Sequence, residues 1–420
     1  MKRAIIRSGA AVFLIITLLC SCAQKPSVGS GKKEPVPEDT FVPSTLDGHA
    51  EKISDYTELE GKVTGVFSDT QPTDADAFEY SVSDAGVKIE KYTGSDVMVV
   101  IPSRIEDKAV IEISEGAFSD SDVRSVYIPD SVKKINIGAF SNMASLQLLR
   151  LPFIGDGAEN THIGYVFGAK TFESNAVNIP VSLETVIVGD MEDKVCEKAF
   201  WRAKSIDAIV LEGVKEIGKF AFYECDELSY IGLPDTLESV NDYAFSTCIS
   251  LSKIELPQSV KSMGIGVFYL CKSLCEISIP IIGDGAENTH FGYIFGAEHV
   301  DWNEDFVPTA LAYVKLTSPC AKIENKAFAN CKNIVRVEFP DTLESIGIRA
   351  FVNCRSLESV TTPVGLKTVS DDAFFGCDNM QSLTIKGATK VGRQAFFGCD
   401  KLTEKNISDA ATVDATAFDK

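Results

Sequence analysis

A phrase of about 23 residues recurs through most of the sequence and constrains the fold more than any other feature. Its plainest copy spans residues 233–257 and reads LPDTLESVNDYAFSTCISLSKIELP. Most steps between copies are 22 or 23 residues, as from 222 to 245, and the exceptions are a step of 27 followed by one of 33, which occurs twice. Such a period indicates a solenoid, because one unit cannot bury its apolar residues alone and does so by stacking on its neighbours. The aromatic landmark of the phrase stands at Phe118, Phe140, Phe167, Phe200, Phe222, Phe245, Phe268, Phe295, Phe328, Phe351, Phe374, Phe396 and Phe418.

The spacing inside one copy predicts a β-rich repeat solenoid of about 13 coils. Ile254 and Leu256 are two residues apart, so their side chains share one face of a short strand, and Pro257 ends that strand. Repetition of this strand predicts a parallel sheet on one face of the array. The segment 217–222, IGKFAF, represents the return, which we expect to be short and helical or irregular, with its glycine at a bend that needs positive φ.

The chain before the repeats divides into three predicted regions. Residues 1–22 carry early basic residues and an apolar run too short to span a bilayer, which is typical of a secretory signal. Residues 23–75 are rich in Pro, Gly, Ser and Lys and predict a flexible linker. Residues 76–112 contain an alternating pattern around an Asp-Ala-Gly turn, which predicts a β-hairpin that caps the solenoid of residues 113–420.

The end of the signal resembles a bacterial lipobox. It reads Leu19-Cys20-Ser21-Cys22, with a small residue before the last cysteine. The resemblance predicts a lipoprotein signal peptide with acylation at Cys22. Cys20 is an alternative that would place Leu19 before the cleavage, and an ordinary signal peptide is another. We therefore expect an exported protein, attached to a bacterial membrane only by its N-terminal lipid and facing the surface or the periplasm.

Charge and motif content narrow the functional classes. The chain has 40 Lys+Arg against 60 Asp+Glu, a formal net charge of -20, which opposes nucleic-acid binding. No Gly-x-Ser-x-Gly, Walker-type or His-Glu-x-x-His motif occurs, and the four histidines are scattered. We expect a protein that is not an enzyme and that needs no cofactor.

Seven cysteines follow the landmark phenylalanine by three residues. Stacked side chains in register point in parallel, which is the wrong geometry for a disulfide, and Met143 and Ala203 occupy the same position in other coils. We expect buried free thiols; disulfides and metal binding are the alternatives. These cysteines, called the cysteine column below, are Cys225, Cys248, Cys271, Cys331, Cys354, Cys377 and Cys399.

Two long coils, 153–180 and 281–308, depart from the repeat in nearly the same way. Both contain Ile-Gly-Asp-Gly-Ala-Glu-Asn-Thr-His, 128 residues apart (154 to 282), and their return is expected to keep the register of a regular coil. Insertions in solenoids project from one face and often bind ligands. A metal site from Asp-x-x-Glu-x-x-His and loops that merely cover the next coil are the alternatives. The candidate contact residues are Asp156, Glu159, Asn160, His162, Tyr165, Asp284, Glu287, Asn288, His290 and Tyr293.

The repeat resembles the BspA-type leucine-rich repeat, whose pattern is similar to Leu-Pro-x-x-Leu-x-x-Ile-Gly-x-x-Ala-Phe-x-x-Cys-x-x-Leu-x-x-Ile-x-Leu-Pro. The resemblance covers about residues 76–418 and departs at the two long coils. It implies a surface protein that mediates protein–protein interaction or adhesion, with a protein or glycan partner. A carbohydrate- or peptide-binding module of the cell envelope is the alternative, although Trp201 and Trp302 are the only tryptophans available for a stacking platform. Candidate outward residues of the sheet are Tyr127, Tyr230, Lys253, Glu255, Tyr313, Arg336 and Glu338.

Overall fold

A computed structural model describes residues 70–190, 193–387 and 389–419. The predicted signal peptide, its acylation site Cys22 and nearly all of the predicted linker lie outside the described residues. Within those residues, no helix is long and apolar enough to cross a membrane.

The recurring Ile-x-Leu phrase forms the main sheet, which confirms the predicted solenoid. Successive strands pair in parallel and in register, so that Ile254 lies beside Ile277 and Ile277 beside Val314, all buried. The sheet runs as six strands and then seven, and it continues across both long coils. Its strands are Met98–Val100, Ser125–Tyr127, Leu148–Leu151, Thr185–Val188, Ala208–Leu211, Tyr230–Gly232, Lys253–Glu255, Glu276–Ile279, Tyr313–Leu316, Arg336–Glu338, Ser359–Thr361, Ser382–Ile385 and Glu404–Ile407.

The return side carries a second set of parallel strands, each only two residues long. The second residue of each strand is buried, except at the last strand, where Val413 is half-buried, and the next residue begins the turn that leads to the landmark phenylalanine. The long coils have no such strand and interrupt the set. These strands are Lys134–Ile135, Lys194–Val195, Glu216–Ile217, Ser239–Val240, Ser262–Met263, Lys322–Ile323, Ser345–Ile346, Thr368–Val369, Lys390–Val391 and Thr412–Val413.

The N-terminal end of the array is closed by an antiparallel hairpin. Its strands Phe78–Val82 and Val87–Tyr92 pair with each other, and the second pairs in parallel with Lys108–Ile113. Arg104–Ile105 adds a short antiparallel partner to Lys108–Ile113. Helix is scarce: 3-10 turns occupy Ala75–Ala77, Ile163–Phe167, Phe172–Ser174, Phe291–Phe295 and Val300–Trp302, and single α-turns occupy Asn175–Asn178 and Asn303–Phe306.

The landmark phenylalanines form a buried stack inside the solenoid. Phe245, with no exposed surface, lies between Phe222 at 4.9 Å and Phe268 at 5.7 Å, measured between ring centroids. Nearly parallel rings at such distances combine apolar burial with favourable aromatic contact. Each ring is therefore buried by the rings of the coils before and after it, so a coil depends on its neighbours for this part of its stability.

The glycine of the return has a different role from the predicted one. Gly218 and Gly347 do not adopt positive φ; that conformation falls two residues later, at Phe220 and Arg349. A Cβ on Gly218 would instead lie 2.7 Å from the amide nitrogen of Glu197 in the preceding coil. Close approach of the preceding coil, rather than a bend, therefore leaves no room for a side chain on Gly218.

The cysteine column is buried and unpaired, as expected. Six of its seven thiols donate to the carbonyl oxygen of the landmark phenylalanine one coil earlier; Cys248 Sγ lies 3.1 Å from the Phe222 oxygen. No disulfide occurs among the ten cysteines within the described ranges. Burial raises the pKa of Cys271 to about 12, so that thiol remains protonated at physiological pH.

The register of the long coils holds on one side only. In a regular coil the Phe222 amide donates to the Ala244 carbonyl. On the side of the preceding coil, the Val166 carbonyl accepts from the Phe140 amide, so Val166 takes the alanine position, as expected. On the side of the next coil, the Ile163 amide donates to the Ala199 carbonyl, so Ile163 rather than Phe167 takes the phenylalanine position. The 3-10 turn Ile163–Phe167 thus shifts the register by one turn, because its first and last residues serve different neighbours.

Candidate functional site

The inserted loop of the first long coil is held by its own polar side chains. Asp156 Oδ1 accepts from the amides of Ala158 at 2.8 Å and Asn160 at 3.0 Å, and Asp156 Oδ2 accepts from Asn160 Nδ2 at 2.6 Å. Burial opposes ionisation of Asp156, but these hydrogen bonds outweigh it and lower the pKa of the carboxyl. The same tight turn requires glycine at position 155, because a Cβ there would lie 1.6 Å from the Asn160 carbonyl oxygen.

The second long coil repeats this geometry closely. Asp284 accepts from the amides of Ala286 at 2.7 Å and Asn288 at 2.9 Å and from Asn288 Nδ2 at 2.7 Å. A Cβ on Gly283 would again lie 1.6 Å from a carbonyl oxygen, here that of Asn288. The shared sequence therefore encodes one rigid loop shape, displayed twice.

Each long coil also buries a histidine against an asparagine. His162 Nδ1 lies 2.9 Å from Asn175 Oδ1, and His290 Nδ1 lies 3.0 Å from Asn303 Oδ1. Asn175 Oδ1 accepts from the Gly164 amide too, while its Nδ2 donates to the Trp201 carbonyl. The asparagine oxygen accepts from a backbone amide in both coils, so each histidine donates its hydrogen bond from Nδ1.

This arrangement differs from the predicted contact surface. Both histidines are only 8% exposed, and burial lowers the pKa of each. Each Nε2 atom is buried without a hydrogen-bond partner among the described residues. The histidines hold the ends of the inserts together, and the sequence pattern could not reveal this because the partner asparagines lie 13 residues away.

The other predicted contact residues differ in exposure. Glu159 and Glu287 are exposed at the loop tips, whereas Tyr165 and Tyr293 are half-buried and stand edge-on to the histidine rings. Within the described ranges, no three His, Cys, Asp or Glu side chains form a group that could hold a metal ion.

Sequence reasoning missed a continuous aromatic strip on the return side. It begins in the first long coil, crosses four regular coils and ends in the second long coil. Centroid separations include 4.3 Å for Trp201–Tyr223, 5.4 Å for Phe220–Tyr243 and 6.3 Å for Tyr269–Phe306. All members are half-buried. The aromatic strip consists of Phe172, Trp201, Phe220, Tyr223, Tyr243, Tyr269, Trp302 and Phe306.

Both tryptophans, the only ones that the sequence offers for a stacking platform, belong to this strip. Trp201 and Trp302 stand near opposite ends of the strip, and tyrosines and phenylalanines link them. Lys198 adds a cation 5.5 Å from the Trp201 ring centroid. The sequence signal is an aromatic residue two before or one after the landmark phenylalanine, as at Phe220 and Tyr223.

The outward face of the main sheet is only partly the polar surface that was predicted. Tyr230, expected to be exposed, is 8% exposed and packs with Ile187, Ala208 and Val210 in a small apolar cluster. The buried guanidinium of Arg150 lies beside this cluster and pairs with Asp130 at 2.5 Å and Glu212 at 3.1 Å. The remaining predicted face residues are half-buried or exposed.

Cavities open on the array at two places in the part of the chain that the structure describes. One of about 240 Å³ lies beside the second long coil and is lined by Asp301, Lys326, Ala329, Asn330, Arg349, Val352, Asn353 and Phe375. The other, of about 460 Å³, lies at the end of the main-sheet strands and is lined by Asp235, Glu255, Leu256, Pro257, Gln258, Ser259, Ser278, Lys315 and Thr317.

Comparison with known proteins is consistent with this architecture. The model of the BspA-type leucine-rich repeat region matches six copies over residues 101–186, 193–292 and 303–420, more than half of the chain. No functionally curated protein matches the chain.

Several solved structures share the repeat at low identity. A leucine-rich cell surface protein from Faecalibacterium prausnitzii is 20% identical, over 83% of this chain and 99% of that one, with a TM-score of 0.32. A leucine-rich repeat protein from Bacteroides ovatus is 20% identical, over 82% and 99%, with a TM-score of 0.36. The T. pallidum leucine-rich repeat protein is 21% identical, over 79% and 91%, with a TM-score of 0.22. The repeat itself, matched over most of the solenoid, makes this chain a member of the BspA-type leucine-rich repeat family.

Proposed function

We propose that this protein is a non-catalytic, lipid-anchored recognition scaffold of the bacterial surface that binds protein partners through the aromatic strip. The observation that carries the proposal is eight aromatic side chains, all half-buried, in one strip between the two long coils. Tyrosine and tryptophan are enriched where proteins bind each other, since they offer large apolar area at low cost in side-chain entropy. The exposed edges of these rings form a contiguous apolar surface, and such surfaces mark interaction sites.

Attachment through Cys22 would place the scaffold at the membrane, with the linker as a spacer. The lipobox-like segment supports this part of the proposal. Cys22→Ser should move the protein from the membrane fraction to the soluble fraction and abolish palmitate incorporation. Cys20→Ser is the matched control and should keep both the membrane location and the palmitate incorporation. Loss of palmitate in Cys20→Ser but not in Cys22→Ser would assign the acylation to Cys20.

The loop tips of the long coils remain a proposed secondary contact. Glu159 and Glu287 are exposed on rigid loops of the same shape, in the two coils that contain the ends of the strip. Two equal sites on one scaffold would raise avidity for a repetitive partner without a tighter individual contact.

The test is a binding panel with the immobilised full chain, purified matrix proteins and cell-wall glycans. Tyr243→Ser and Tyr269→Ser remove two central rings of the strip and should weaken protein binding about tenfold or more. Each half-buried ring should also cost about 1–2 kcal/mol of stability, so thermal unfolding checks that the variants remain folded at the assay temperature. Tyr313→Ser, on the outward face of the main sheet, is the matched control. Protein binding that is lost in Tyr313→Ser and kept in the two strip variants would contradict the proposal. Protein binding that is lost only in the double variant Glu159→Gln with Glu287→Gln would contradict it too.

A glycan ligand is the second candidate, because of the larger cavity. Ser259, Ser278 and Thr317, which line it, each have a buried hydroxyl with no hydrogen-bond partner among the described residues. Unsatisfied hydroxyls beside Gln258 and Lys315 suit a polyhydroxyl ligand. Glycan binding that is lost in Ser278→Val and unaffected by Tyr243→Ser would favour this candidate.

A further inference from the structure

The smaller cavity lies at a position where the duplicated blocks of the chain carry residues of very different size. The residue after the landmark phenylalanine is Trp201 in the first block and Ala329 in the second. Lys198 and Lys326 stand two residues before the same phenylalanine. These paired positions allow the first block to be compared directly with the cleft in the second.

In the first block the position is filled by the protein's own indole. Trp201 stacks on Tyr223 at 4.3 Å and 21°, meets Phe220 and Phe172 edge-on, and lies under Lys198. Three of these four neighbours have counterparts that line the cleft in the second block. Lys198 corresponds to Lys326, Phe220 to Arg349 and Tyr223 to Val352.

The second block keeps the lysine beside this position but lacks the ring and its aromatic neighbours, since Arg349 and Val352 replace Phe220 and Tyr223. Ala329, 2% exposed, leaves a cleft of about 240 Å³. This volume is below the roughly 300–1,000 Å³ of ordinary small-molecule sites, so it suits a single side chain. Phe375, stacked on Phe397 at 4.9 Å, supplies an aromatic wall two coils after that of Ala329.

The polar groups of the cleft also suit an aromatic occupant. Lys326 and Arg349 are exposed cations on two successive coils, and cations over a ring face are attracted to its quadrupole. Arg349 Nε is oriented by Asp372 at 3.1 Å. Asp301 supplies a carboxylate that could accept from an indole N–H. A hydrogen bond from Asn353 Nδ2 to Asn330 Oδ1, at 3.0 Å, joins the two coils beneath the cleft.

We propose that the cleft around Ala329 is a receptor for an aromatic side chain, tryptophan above all, presented by a protein partner. Trp201 in the first block shows that the repeat accommodates an indole at this position beside the equivalent lysine, Lys198. The proposal rests on the proposed protein-binding function and adds to it the chemistry of one anchor residue. The partner's ring would extend the aromatic strip by one coil beyond the second long coil.

Saturation-transfer difference NMR of the full chain with N-acetyl-L-tryptophanamide tests the cleft. Ala329→Trp fills it from within and should lower the transfer to the indole protons about fivefold or more. Val177→Trp is the matched control, because Val177 is 86% exposed in the first long coil and an added indole there leaves the cleft open. Lys326→Ala should reduce the transfer about threefold without filling the cleft.

N-acetyl-L-leucinamide, N-acetyl-L-aspartamide and N-acetylglucosamine serve as comparison probes. Equal indole transfer in the wild type and in Ala329→Trp overturns the proposal. A stronger Ala329-dependent signal from the aspartyl or sugar probe overturns the aromatic assignment. If Ala329→Trp binds the protein partner as the wild type does while Tyr243→Ser loses that binding, the cleft is not the receptor for the partner's aromatic side chain. The proposed function of the strip would then still hold.

Discussion

The stack of landmark phenylalanines makes a quantitative prediction about how stability is distributed along the array. Phe245→Ala removes a ring with no exposed surface, together with its contacts to Phe222 and Phe268. Burial of such a side chain contributes roughly 1.5–3 kcal/mol, and each aromatic contact adds about 0.5–1.5 kcal/mol. We therefore expect a loss of about 3–5 kcal/mol in the free energy of unfolding, in the range of measured Phe→Ala changes in cores.

The same substitution at the last ring is the internal control. Phe418 is half-buried and has one stacking neighbour, Phe396 at 5.2 Å. Phe418→Ala should cost about 1–2 kcal/mol, because less area and one contact are lost.

Urea denaturation followed by far-UV circular dichroism measures both changes, with the slope m as a check that the same unit unfolds. A repeat array can unfold in parts, and a smaller m for Phe245→Ala would report such a split at the mutated coil. A cost below about 1 kcal/mol for Phe245→Ala, or equal costs at the two sites, would refute the assignment of a mutually supporting stack.

Three further predictions concern thiols, histidines and loop glycines. Exposed Cys275 should be alkylated about 100-fold faster than the cysteine column in the native protein, as measured by peptide mapping, because burial protects the column. Burial lowers the pKa of His162 and His290 below the unfolded value of about 6.5, so their contribution to stability is present above that pH and is lost as pH falls toward the folded pKa. The free energy of unfolding, measured between pH 7.5 and 5, should then depend less steeply on pH in the double variant His162→Gln with His290→Gln than in the wild type. An equal pH dependence in the two proteins would contradict this prediction. Gly283→Ala should lower the free energy of unfolding by about 2 kcal/mol or more, because Gly283 has positive φ and no room for a Cβ. At Gly365 φ is not positive and a Cβ would lie 3.4 Å from the Asp341 carbonyl oxygen, so Gly365→Ala should change stability by about 0.5 kcal/mol or less.

The repeat was the most informative part of the sequence because its apolar positions follow local spacing. Ile254 and Leu256 share a strand face whatever their partners are, so the parallel sheet could be predicted from one coil and extended to the rest. The buried thiols followed from the same reasoning. The role of Gly218 did not, because its constraint is the backbone of the neighbouring coil rather than its own φ.

The candidate sites were less predictable than the fold. The loop phrases pointed to the two long coils, but the burial of His162 depends on Asn175, a contact that one sequence does not indicate. The aromatic strip and the cleft use positions that are polar or small in most coils, so they contribute nothing to the periodic signal.

By itself, the sequence determined that this chain is a stacked solenoid with a phenylalanine core, because a short apolar period leaves each coil no other way to bury its residues. The tertiary structure alone decided which variable residues meet. Trp201 and Tyr223 are 22 residues apart in the chain (201 to 223) and 4.3 Å apart as rings, since stacking places equivalent positions of successive coils side by side. The same stacking opens a cleft at Ala329, where the second block has no ring to fill it.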